Sequence, residues 1–369
     1  MPNSIDNQNT SPPAMLSAIG DEERYSRQVL FAGIGEEGQR RLKSARAAIV
    51  GCGATGAAAA SLLARAGVGT LTLIDRDFVE PSNLQRQILF DEQDAREALP
   101  KAEAARRKIA LFNSSIQVHA QVSDLVPGNI KELLDEAQII LDATDNFETR
   151  YLINDYCVEQ GRPWIYAAAI GAYAATMNIL PAATAASYTP TACLACIFPK
   201  PPSGPVETCD TSGILAAAVN LAASLQVTEA LKFLTGQPHL MRRTLISFDL
   251  WTPEDSGSMV RSEISTSKPR ADCEVCGQRI FTHLAGENRP HITLCGRNSV
   301  QIHEHHRPVD FATLRDRLAP HGEVRYNELL LRFQRGAYTL TLFPDGRAIV
   351  QGTTDVAQAR TLYARYIGS

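Results

Sequence analysis

The sequence predicts an α/β protein with a small α+β module at its C-terminal end. In residues 47–77 an apolar run, a glycine-containing turn, a helix-forming segment and a second apolar run follow one another. Further apolar runs of strand length then alternate with helical segments. Over residues 286–369 the pattern changes to short strands around a Pro-Asp-Gly turn. Strands that alternate with helices are typical of a mainly parallel sheet covered by helices.

The composition excludes few functions but narrows the class of protein. The chain has 369 residues, of which 44% are hydrophobic and 21% charged, and its net charge is -4. This balance favours neither a polyanionic nor a polycationic partner, so we expect no nucleic-acid binding. No signal-peptide pattern opens the sequence, and no apolar run reaches the roughly 18 residues that a membrane span needs. We therefore expect a cytoplasmic protein that does not enter a membrane.

The chain begins with a segment that lacks any periodic pattern. Residues 1–20 are rich in Asn, Ser and Pro, and we expect a disordered arm there. A capped helical pattern starts at Asp21, and residues 36–44 read as a second helix that ends before the first strand. The ordered part of the protein is therefore expected to begin at residue 21.

Three glycines follow the first strand, which is expected at residues 47–50. Gly51 suits the tight turn, Gly53 lets a phosphate approach the backbone, and Gly56 lets helix and strand pack closely. The helix that follows directs its N-terminal N–H groups at any bound anion. Asp75 ends the second strand, at residues 70–74, where its carboxylate can accept hydrogen bonds from ribose hydroxyls. This pattern predicts nucleotide binding without separating NAD from ATP, and a structural turn is the alternative.

A polar loop comes directly after the second strand. It contains Asp77, Asn83, Arg86 and Gln87. Ligands of open α/β sheets bind beyond the carboxyl ends of the strands, so these side chains are candidates for nucleotide contacts. Arg86 could instead be an ordinary surface charge, and Asp77 could serve only to hydrogen-bond within the loop.

Two further candidates lie at the start of helices. Lys101 follows Pro100 in a helical pattern, and Asp145 follows the strand expected at residues 139–143. Each has a structural alternative: a first-turn lysine for Lys101, and an N-cap for Asp145. The other expected strands are residues 116–120, 164–170, 174–180 and 245–249.

The second half of the chain carries a long irregular segment. Residues 181–213 break all periodicity and include Cys209, and loops of this length are typically functional or mobile. A helical pattern resumes over residues 213–234, and a polar stretch runs from Thr252 to Lys268. In the C-terminal module, strands are expected at residues 290–302, 329–333, 338–343 and 347–351, and helices at 311–318 and 355–367.

Two Cys-x-x-Cys pairs stand at the edges of irregular segments. They are Cys193 with Cys196, and Cys273 with Cys276. Two such pairs can supply the four thiolates of a tetrahedral structural zinc site, which would tie the long loop to the segment before the module. A redox pair and a chance occurrence are the alternatives.

Taken together, these motifs resemble the MoeB/ThiF adenylyltransferases, relatives of the ubiquitin-activating enzymes. The motifs follow one another in the same order as in the family, from Arg24-Tyr-Ser-Arg27-Gln to the second cysteine pair. They include Asp142-Ala-Thr-Asp145-Asn146 and Thr208-Cys209-Asp. The resemblance implies a Rossmann-like ATP-binding sheet of the ubiquitin-activating type with a structural zinc site. It assigns residues 21–280 to the adenylation domain, and the additional module at 286–369 resembles the long ThiF branch.

The resemblance also implies an activity. ATP would adenylate the C-terminal Gly carboxylate of a ubiquitin-like sulfur carrier protein ending in Gly-Gly, as in thiamin thiazole synthesis, with release of pyrophosphate. Activation of a molybdopterin synthase carrier is the close alternative. An NAD-dependent oxidoreductase is the alternative from another class, but it would have no need for several cations around the phosphates.

Roles for the candidate residues follow from the same resemblance. Lys101 and Arg86 would contact phosphates, and Asp145 would hold Mg²⁺. Asp75 would bind the ribose, while Asn83 and Gln87 would orient the nucleotide. These side chains and Mg²⁺ would stabilise the charge that builds up at the α-phosphate.

Two residues would act through partners. In the family, Arg27 reaches the triphosphate of the neighbouring protomer, which implies a homodimer. Cys209 stands where the family places a cysteine that can form a thio-linked adduct with the carrier. A sulfur donor, either a cysteine desulfurase or a rhodanese-type protein, is a further expected partner. A loop cysteine without chemical duty is the alternative for Cys209.

Overall fold

A computed structural model of the chain describes residues 20–183, 188–201, 209–251, 259–286, 293–294, 299–302, 309–344, 346 and 348–367. The arm expected at residues 1–20 lies outside the described residues, except for Gly20. Within the described part, two sheets are formed, one of eight strands and one of six.

The larger sheet has the strand order β3-β2-β1-β4-β5-β6-β7-β8. Its first five strands in this order are parallel, and β5 to β8 are antiparallel. The strands are β1 Arg46–Val50, β2 Thr70–Ile74, β3 Gln117–Gln121, β4 Ile139–Asp142, β5 Trp164–Ile170, β6 Tyr173–Ile179, β7 Thr244–Asp249 and β8 Val260–Ser265.

Helices cover both faces of this sheet. They are α1 Asp21–Val29, α2 Gly35–Ser44, α3 Ala54–Ala66, α4 Glu92–Arg96, α5 Lys101–Phe112, α6 Ile130–Leu134, α7 Phe147–Gln160, α8 Leu194–Ile197, α9 Cys209–Ser212, α10 Ala216–Leu234 and α11 Thr282–Ala285. The side chains of β1 alternate between the two faces, as a strand requires. Ala47 and Ile49 pack with α3, α5 and α10, whereas Ala48 and Val50 pack with α7 and the cysteine pairs.

The smaller sheet has the order β11-β12-β13-β14-β10-β9, and all of its paired strands are antiparallel. Its elements are β9 Thr293–Leu294, β10 Ser299–Ile302, α12 Phe311–Leu318, β11 Glu323–Tyr326, β12 Leu331–Arg335, β13 Tyr338–Leu342, β14 Ala348–Gln351 and α13 Val356–Tyr366. Helices α12 and α13 pack on one face, where Phe333 and Leu340 lie in the core. This is the α+β organisation that the sequence predicts.

The strand expected at residues 290–302 is instead two strands, β9 and β10, which pair with each other antiparallel. The sequence-based expectations also fail at two edge strands. Strand β8 lies in the stretch that reads as polar without structure, and β11 was not anticipated. Every residue of β8 is exposed, so the stretch lacks the apolar alternation by which a half-buried strand is recognised. Strand β11 likewise buries none of its side chains fully. Both strands lie at the edge of their sheets, where backbone pairing holds them.

Candidate active site

The loops that follow β1, β2 and β4 lie side by side. The strand order places β1 between β2 and β4, and all three are parallel. Their carboxyl ends therefore meet at one edge of the sheet, which we call the nucleotide edge, and it carries Gly51, Asp75 and Asp142. An edge of this kind is where open α/β sheets bind ligands.

The three glycines at this edge have different surroundings. Gly51 has a φ of 90°, and a Cβ there would lie 2.7 Å from the carbonyl oxygen of Ala143. A Cβ on Gly56 would lie 1.8 Å from the carbonyl oxygen of Gly51. By contrast, the nearest atom to a Cβ on Gly53 would be Nε2 of Gln87, at 4.0 Å. Gly51 and Gly56 are thus required by packing, while Gly53 leaves open space at the N-terminus of α3, where a phosphate can approach the backbone.

Asp75 is held in place by the backbone around it. Its Oδ2 accepts a hydrogen bond of 2.6 Å from the N–H of Cys52, and its Oδ1 accepts one of 2.7 Å from the N–H of Asp77. The residue is only 9% exposed. Burial raises the pKa of Asp75, and the nearby Lys101 charge opposes this rise. Each carboxylate oxygen keeps a lone pair that a ribose hydroxyl could use.

Lys101 and Asp77 form a nearly buried ion pair. The ammonium of Lys101 lies 3.2 Å from Oδ2 of Asp77, and the lysine side chain is 3% exposed. The backbone N–H of Lys101 also donates to the Asp77 carbonyl oxygen at 2.8 Å. Lys101 is the first residue of α5, as the sequence predicts. Lys101 is therefore a buried first-turn lysine in an ion pair, and its contact with phosphate stays a prediction.

The loop after β2 presents two buried amides. Asn83 ends a short 3-10 turn, and its Oδ1 accepts a hydrogen bond of 3.1 Å from the Glu80 N–H. Gln87 is also buried, and its Oε1 has no hydrogen-bond partner among the described residues. A buried amide oxygen without a partner is costly unless a ligand or water satisfies it. Arg86 is half-buried, with its Nη1 donating to the Ser82 carbonyl oxygen at 2.8 Å.

The loop after β4 separates the roles of Asp145 and Asn146. The Asn146 side chain caps α7 by accepting a hydrogen bond of 2.8 Å from the Thr149 N–H. Asp145 is therefore not the N-cap, which was its structural alternative. Its carboxylate is exposed and lies within electrostatic reach of Arg76 and Arg150.

Arg150 is a residue of this site that the sequence analysis missed. Its guanidinium is buried, lies 3.1 Å from Oδ2 of Asp142 and donates to the Ala167 carbonyl oxygen at 3.1 Å. It also donates to the Thr144 carbonyl oxygen. Arg150 thereby holds the loop that carries Asp145. In the sequence, Arg150 directly precedes the apolar residues 151–153 of α7, and this position could have indicated a buried arginine that needs a charged partner.

Gln226 is a second residue of this kind. Its Nε2 donates to the carbonyl oxygens of Asp142, at 2.8 Å, and of Ile165, at 2.7 Å, so α10 is joined to the last residue of β4 and to the second residue of β5. Gln226 interrupts an otherwise apolar helix in the sequence. A polar residue at such a position is expected to satisfy buried backbone groups.

Arg27 does not join the other candidates within one chain. Helix α1 contacts the far ends of α3 and α5, because Gln28 donates to the Ala66 carbonyl oxygen at 2.8 Å and Asn113 donates to the Tyr25 hydroxyl at 2.9 Å. Helix α3 has 13 residues, so its two ends are about 20 Å apart. Arg27 is exposed there, at the end of the molecule opposite the nucleotide edge.

The four cysteines of the two pairs form one cluster. Their sulfur atoms all lie within 4.8 Å of one another, and the described residues contain no other group of this kind. The Sγ–Sγ distances are 3.8 Å for Cys193–Cys196, 3.6 Å for Cys193–Cys273 and 3.3 Å for Cys196–Cys276. Tetrahedral zinc with Zn–S bonds of about 2.3 Å separates its sulfurs by about 3.8 Å. The cluster fits a zinc ion with all four positions filled by protein.

Cys209 lies outside this cluster. It is the first residue of α9, which follows the undescribed residues 202–208, and the structure describes its backbone only. The predicted adduct at Cys209 therefore stays a prediction.

The sheet and its nucleotide edge define a nucleotide-binding α/β protein. Among solved structures, it is similar to a crystal structure titled Escherichia coli MccB with ATP, which has a TM-score of 0.57 and 26% identity and covers 69% of this chain and 73% of the other. A sequence model of the ThiF family matches residues 25–275. The chain belongs to the ThiF family, and the predicted resemblance is confirmed.

Two relatives are similar to this chain over different lengths. The sulfur carrier protein ThiS adenylyltransferase of Bacillus subtilis (strain 168) is 44% identical over 94% of this chain and 99% of its own. The SAMP-activating enzyme E1 of Haloferax volcanii is 33% identical over 69% of this chain and 89% of its own. None of the helices in the described part of the chain combines the length and the hydropathy of a membrane span.

Proposed function

We propose that this protein uses ATP to adenylate the C-terminal Gly carboxylate of a ThiS-like sulfur carrier protein for thiamin thiazole biosynthesis. The observation that carries this proposal is the 44% identity to a ThiS adenylyltransferase, which extends over 94% of the chain and so includes the C-terminal module. The relative that activates SAMP matches only 69% of the chain. The adenylation domain is assigned to residues 21–280 and the module to residues 286–369.

The reaction is a transfer of AMP to a carboxylate. A carboxylate oxygen of the carrier attacks the α-phosphorus of ATP, the bond between that phosphorus and the bridging α–β oxygen breaks, and pyrophosphate leaves with the electron pair. Lys101 and Arg86 stabilise the negative charge that builds up on the phosphates. The open backbone at Gly53 receives a phosphate, while Asp75 accepts hydrogen bonds from the ribose.

A buried ammonium suits this role for a physical reason. Lys101 is removed from water, so its charge is weakly screened. Its ammonium is held by one carboxylate at 3.2 Å and has N–H donors left for a phosphate. Gln87 contributes an amide whose oxygen is buried without a partner among the described residues. We assign Asn83 and Gln87 to the orientation of the nucleotide.

Magnesium and zinc would occupy different kinds of site. Asp145, exposed at the nucleotide edge, would supply an oxygen ligand to Mg²⁺, which neutralises phosphate charge when bound. The cysteine cluster supplies four sulfur ligands and leaves no open position, so its zinc would be structural. Zinc there joins the segment around Cys193 to the segment around Cys273.

A homodimer would complete the site with Arg27. The distance of Arg27 from the nucleotide edge of its own chain favours a role in the neighbouring protomer. Leu30 and Phe31, just after it, are 75% and 65% exposed, and a subunit interface would cover them. The adduct of Cys209 with the carrier, the sulfur donor and the cytoplasmic location stay predictions.

The deciding experiment is intact-mass measurement of purified carriers after incubation with the enzyme, ATP and Mg²⁺. We expect the ThiS-like carrier to gain one AMP moiety, and pyrophosphate to appear only when this carrier is present. Modification of a molybdopterin synthase carrier alone would establish the MoeB-type alternative. If neither carrier is modified while NAD binds to the protein, the proposal is wrong and an oxidoreductase has to be considered.

A further inference from the structure

The C-terminal module contacts the nucleotide edge through one aromatic residue. Phe78, directly after Asp77, is 1% exposed. It packs in a small core with three buried residues of the module, Leu330, Phe343 and Ile349. All three of its fully buried neighbours in this core belong to the module, while Ala98 and Val122 of the adenylation domain pack there only partly buried.

The position of Phe78 in the chain gives this contact its importance. The segment around it runs antiparallel to the start of α5, because the Val79 N–H donates to the Leu99 carbonyl oxygen at 2.8 Å and Phe78 pairs with Pro100 as a β-bridge. Side chains alternate along such an extended segment. Asp77 pairs with Lys101 in the site, whereas the next side chain points into the module's core.

A charged residue of the module covers the same ring. The guanidinium carbon of Arg332, on β12, lies 4.3 Å from the ring centroid of Phe78. Burial lowers the pKa of Arg332, and the charge of Glu80 opposes this. Glu80 in turn caps the 3-10 turn that ends at Asn83. The contact with Phe78 therefore connects Arg332 directly to the loop that presents Asp77 and Asn83, and the charge of Glu80 in the same loop adds an electrostatic attraction.

Beside this contact, a cleft separates the adenylation domain from the C-terminal module. A cleft of about 790 Å³ lies between the region of α4 and α5 and the strands β11 and β12, and Arg332 lines its wall. Among the described residues, the packing of Phe78 is therefore a localised attachment next to the site, bordered by this cleft. A localised attachment can set the position of the segment that it holds.

We propose that the C-terminal module is a positioning element of the nucleotide site, in which Arg332 and its apolar neighbours hold Phe78 and thereby align Asp77 with Lys101. This inference deepens the proposed function, on which its kinetic test rests. It makes Arg332 and Phe78 positioning residues, because neither lies among the groups assigned to the nucleotide. The occupant of the site is unchanged; the module determines how well the site is preorganised for it.

The test compares two arginines on the same strand. Arg332→Ala removes the cation over Phe78, whereas Arg335→Ala removes an arginine that lies over Tyr366 within the module. For Arg332→Ala we expect a rise of about three- to tenfold in both the KM and the Kd for ATP. The KM for the carrier should stay within about twofold of wild type. Arg335→Ala should change none of these constants.

Two further variants keep the inference testable if Arg332→Ala folds poorly. Arg332→Lys retains a cation and should give an intermediate Kd for ATP, while Phe78→Leu should weaken ATP binding with the module still folded. Unchanged ATP constants in Arg332→Ala and Phe78→Leu would overturn the inference. A change confined to the carrier KM, or equal losses in Arg332→Ala and Arg335→Ala, would do so as well.

The Kd for ATP, measured by calorimetry with Mg²⁺, separates this inference from the proposed function. If wild-type protein binds ATP but modifies neither carrier, the proposed function fails. The Kd values of the variants still decide whether the module positions the site.

Discussion

The nucleotide edge and the cysteine cluster are both attached to the larger sheet, but they are built in opposite ways. At the edge, polar atoms are held by a few hydrogen bonds, and open space remains at Gly53. In the cluster, four sulfurs lie within 4.8 Å of one another with three of the cysteines buried. A site that binds and releases a substrate keeps unsatisfied groups, whereas a structural site satisfies its own.

This difference predicts that changes at the edge affect activity and changes at the cluster affect stability. The following variants and treatments test this contrast.

The largest effect is expected for the charged residues of the edge. Lys101→Ala and Asp145→Asn should each lower carrier-dependent ATP–pyrophosphate exchange by at least about a thousandfold, because Lys101 is assigned to the phosphates and Asp145 to Mg²⁺. The far-UV circular dichroism spectrum should stay unchanged.

Lys108→Ala is the matched control for Lys101→Ala. Lys108 belongs to the same helix but pairs with Asp91 and Asp94. It should keep nearly full exchange activity. Wild-type-like exchange in Lys101→Ala or Asp145→Asn would refute the assigned roles.

Removal of zinc should have the next largest effect, on stability. We expect about one equivalent of zinc per chain, and a loss of more than about 5 kcal/mol in the free energy of unfolding after chelation or in Cys273→Ser. Metal analysis and urea unfolding measure the two quantities.

Cys157→Ala is the control for the cluster, because Cys157 is buried but lies outside it. This variant should retain its zinc. A zinc content below about half an equivalent, with reactive Cys193 in the folded protein, would contradict a structural zinc site.

Two glycine variants divide the edge itself into packing and binding. Gly56→Ala should lower the free energy of unfolding by about 3 kcal/mol or more, since its Cβ would lie 1.8 Å from a backbone oxygen. Gly53→Ala should leave the free energy of unfolding within about 1 kcal/mol of wild type, because its Cβ meets no close atom. It should nevertheless weaken ATP binding, as calorimetry would show. Equal stability of the two variants would contradict the assigned surroundings.

The smallest effect is expected for the pH dependence of stability at Asp155. Its Oδ2 accepts hydrogen bonds from the backbone N–H groups of His283 and Leu284 at the start of α11. Burial raises the pKa of Asp155 from 3.8 to about 6. Between these values the unfolded state loses the proton first, so stability falls as the pH rises from about 4 to about 6 and then levels off.

Asp155→Asn removes this titration. From pH 5 to pH 7.5, wild type should lose about 1 kcal/mol of unfolding free energy relative to Asp155→Asn, as measured by urea unfolding at each pH. The comparison between the two proteins cancels the contribution of the zinc ligands. Parallel curves would show that Asp155 does not titrate in this range.

Much of the molecule could be predicted because its signals are local. The apolar runs and the three glycines predict the βαβ unit, and the spacing of the cysteines predicts the cluster, because each pattern lies within a short segment or repeats a known ligand spacing. The exposed edge strands β8 and β11 could not be predicted, since they are held by pairing with a neighbour and not by an apolar pattern of their own.

The side chains that organise the edge show the same limit. Arg150 and Gln226 bind carbonyl oxygens of other elements, at 3.1 Å to Ala167 and at 2.7 Å to Ile165. Such partners are defined only when distant segments of the chain meet. The sequence therefore indicates that a buried polar residue needs a partner, but not which carbonyl oxygen provides it.

The family, the glycine turn after β1 and the grouping of the four cysteines could be read from the sequence, because these depend on residue type and spacing. The packing of distant segments was needed to establish three other features. Asn146 caps α7 and leaves Asp145 exposed, Arg27 lies about one helix length from the nucleotide edge of its own chain, and Phe78 packs into the C-terminal module. Capping, distance and burial are relations between segments, and they are set by the packing of the whole chain.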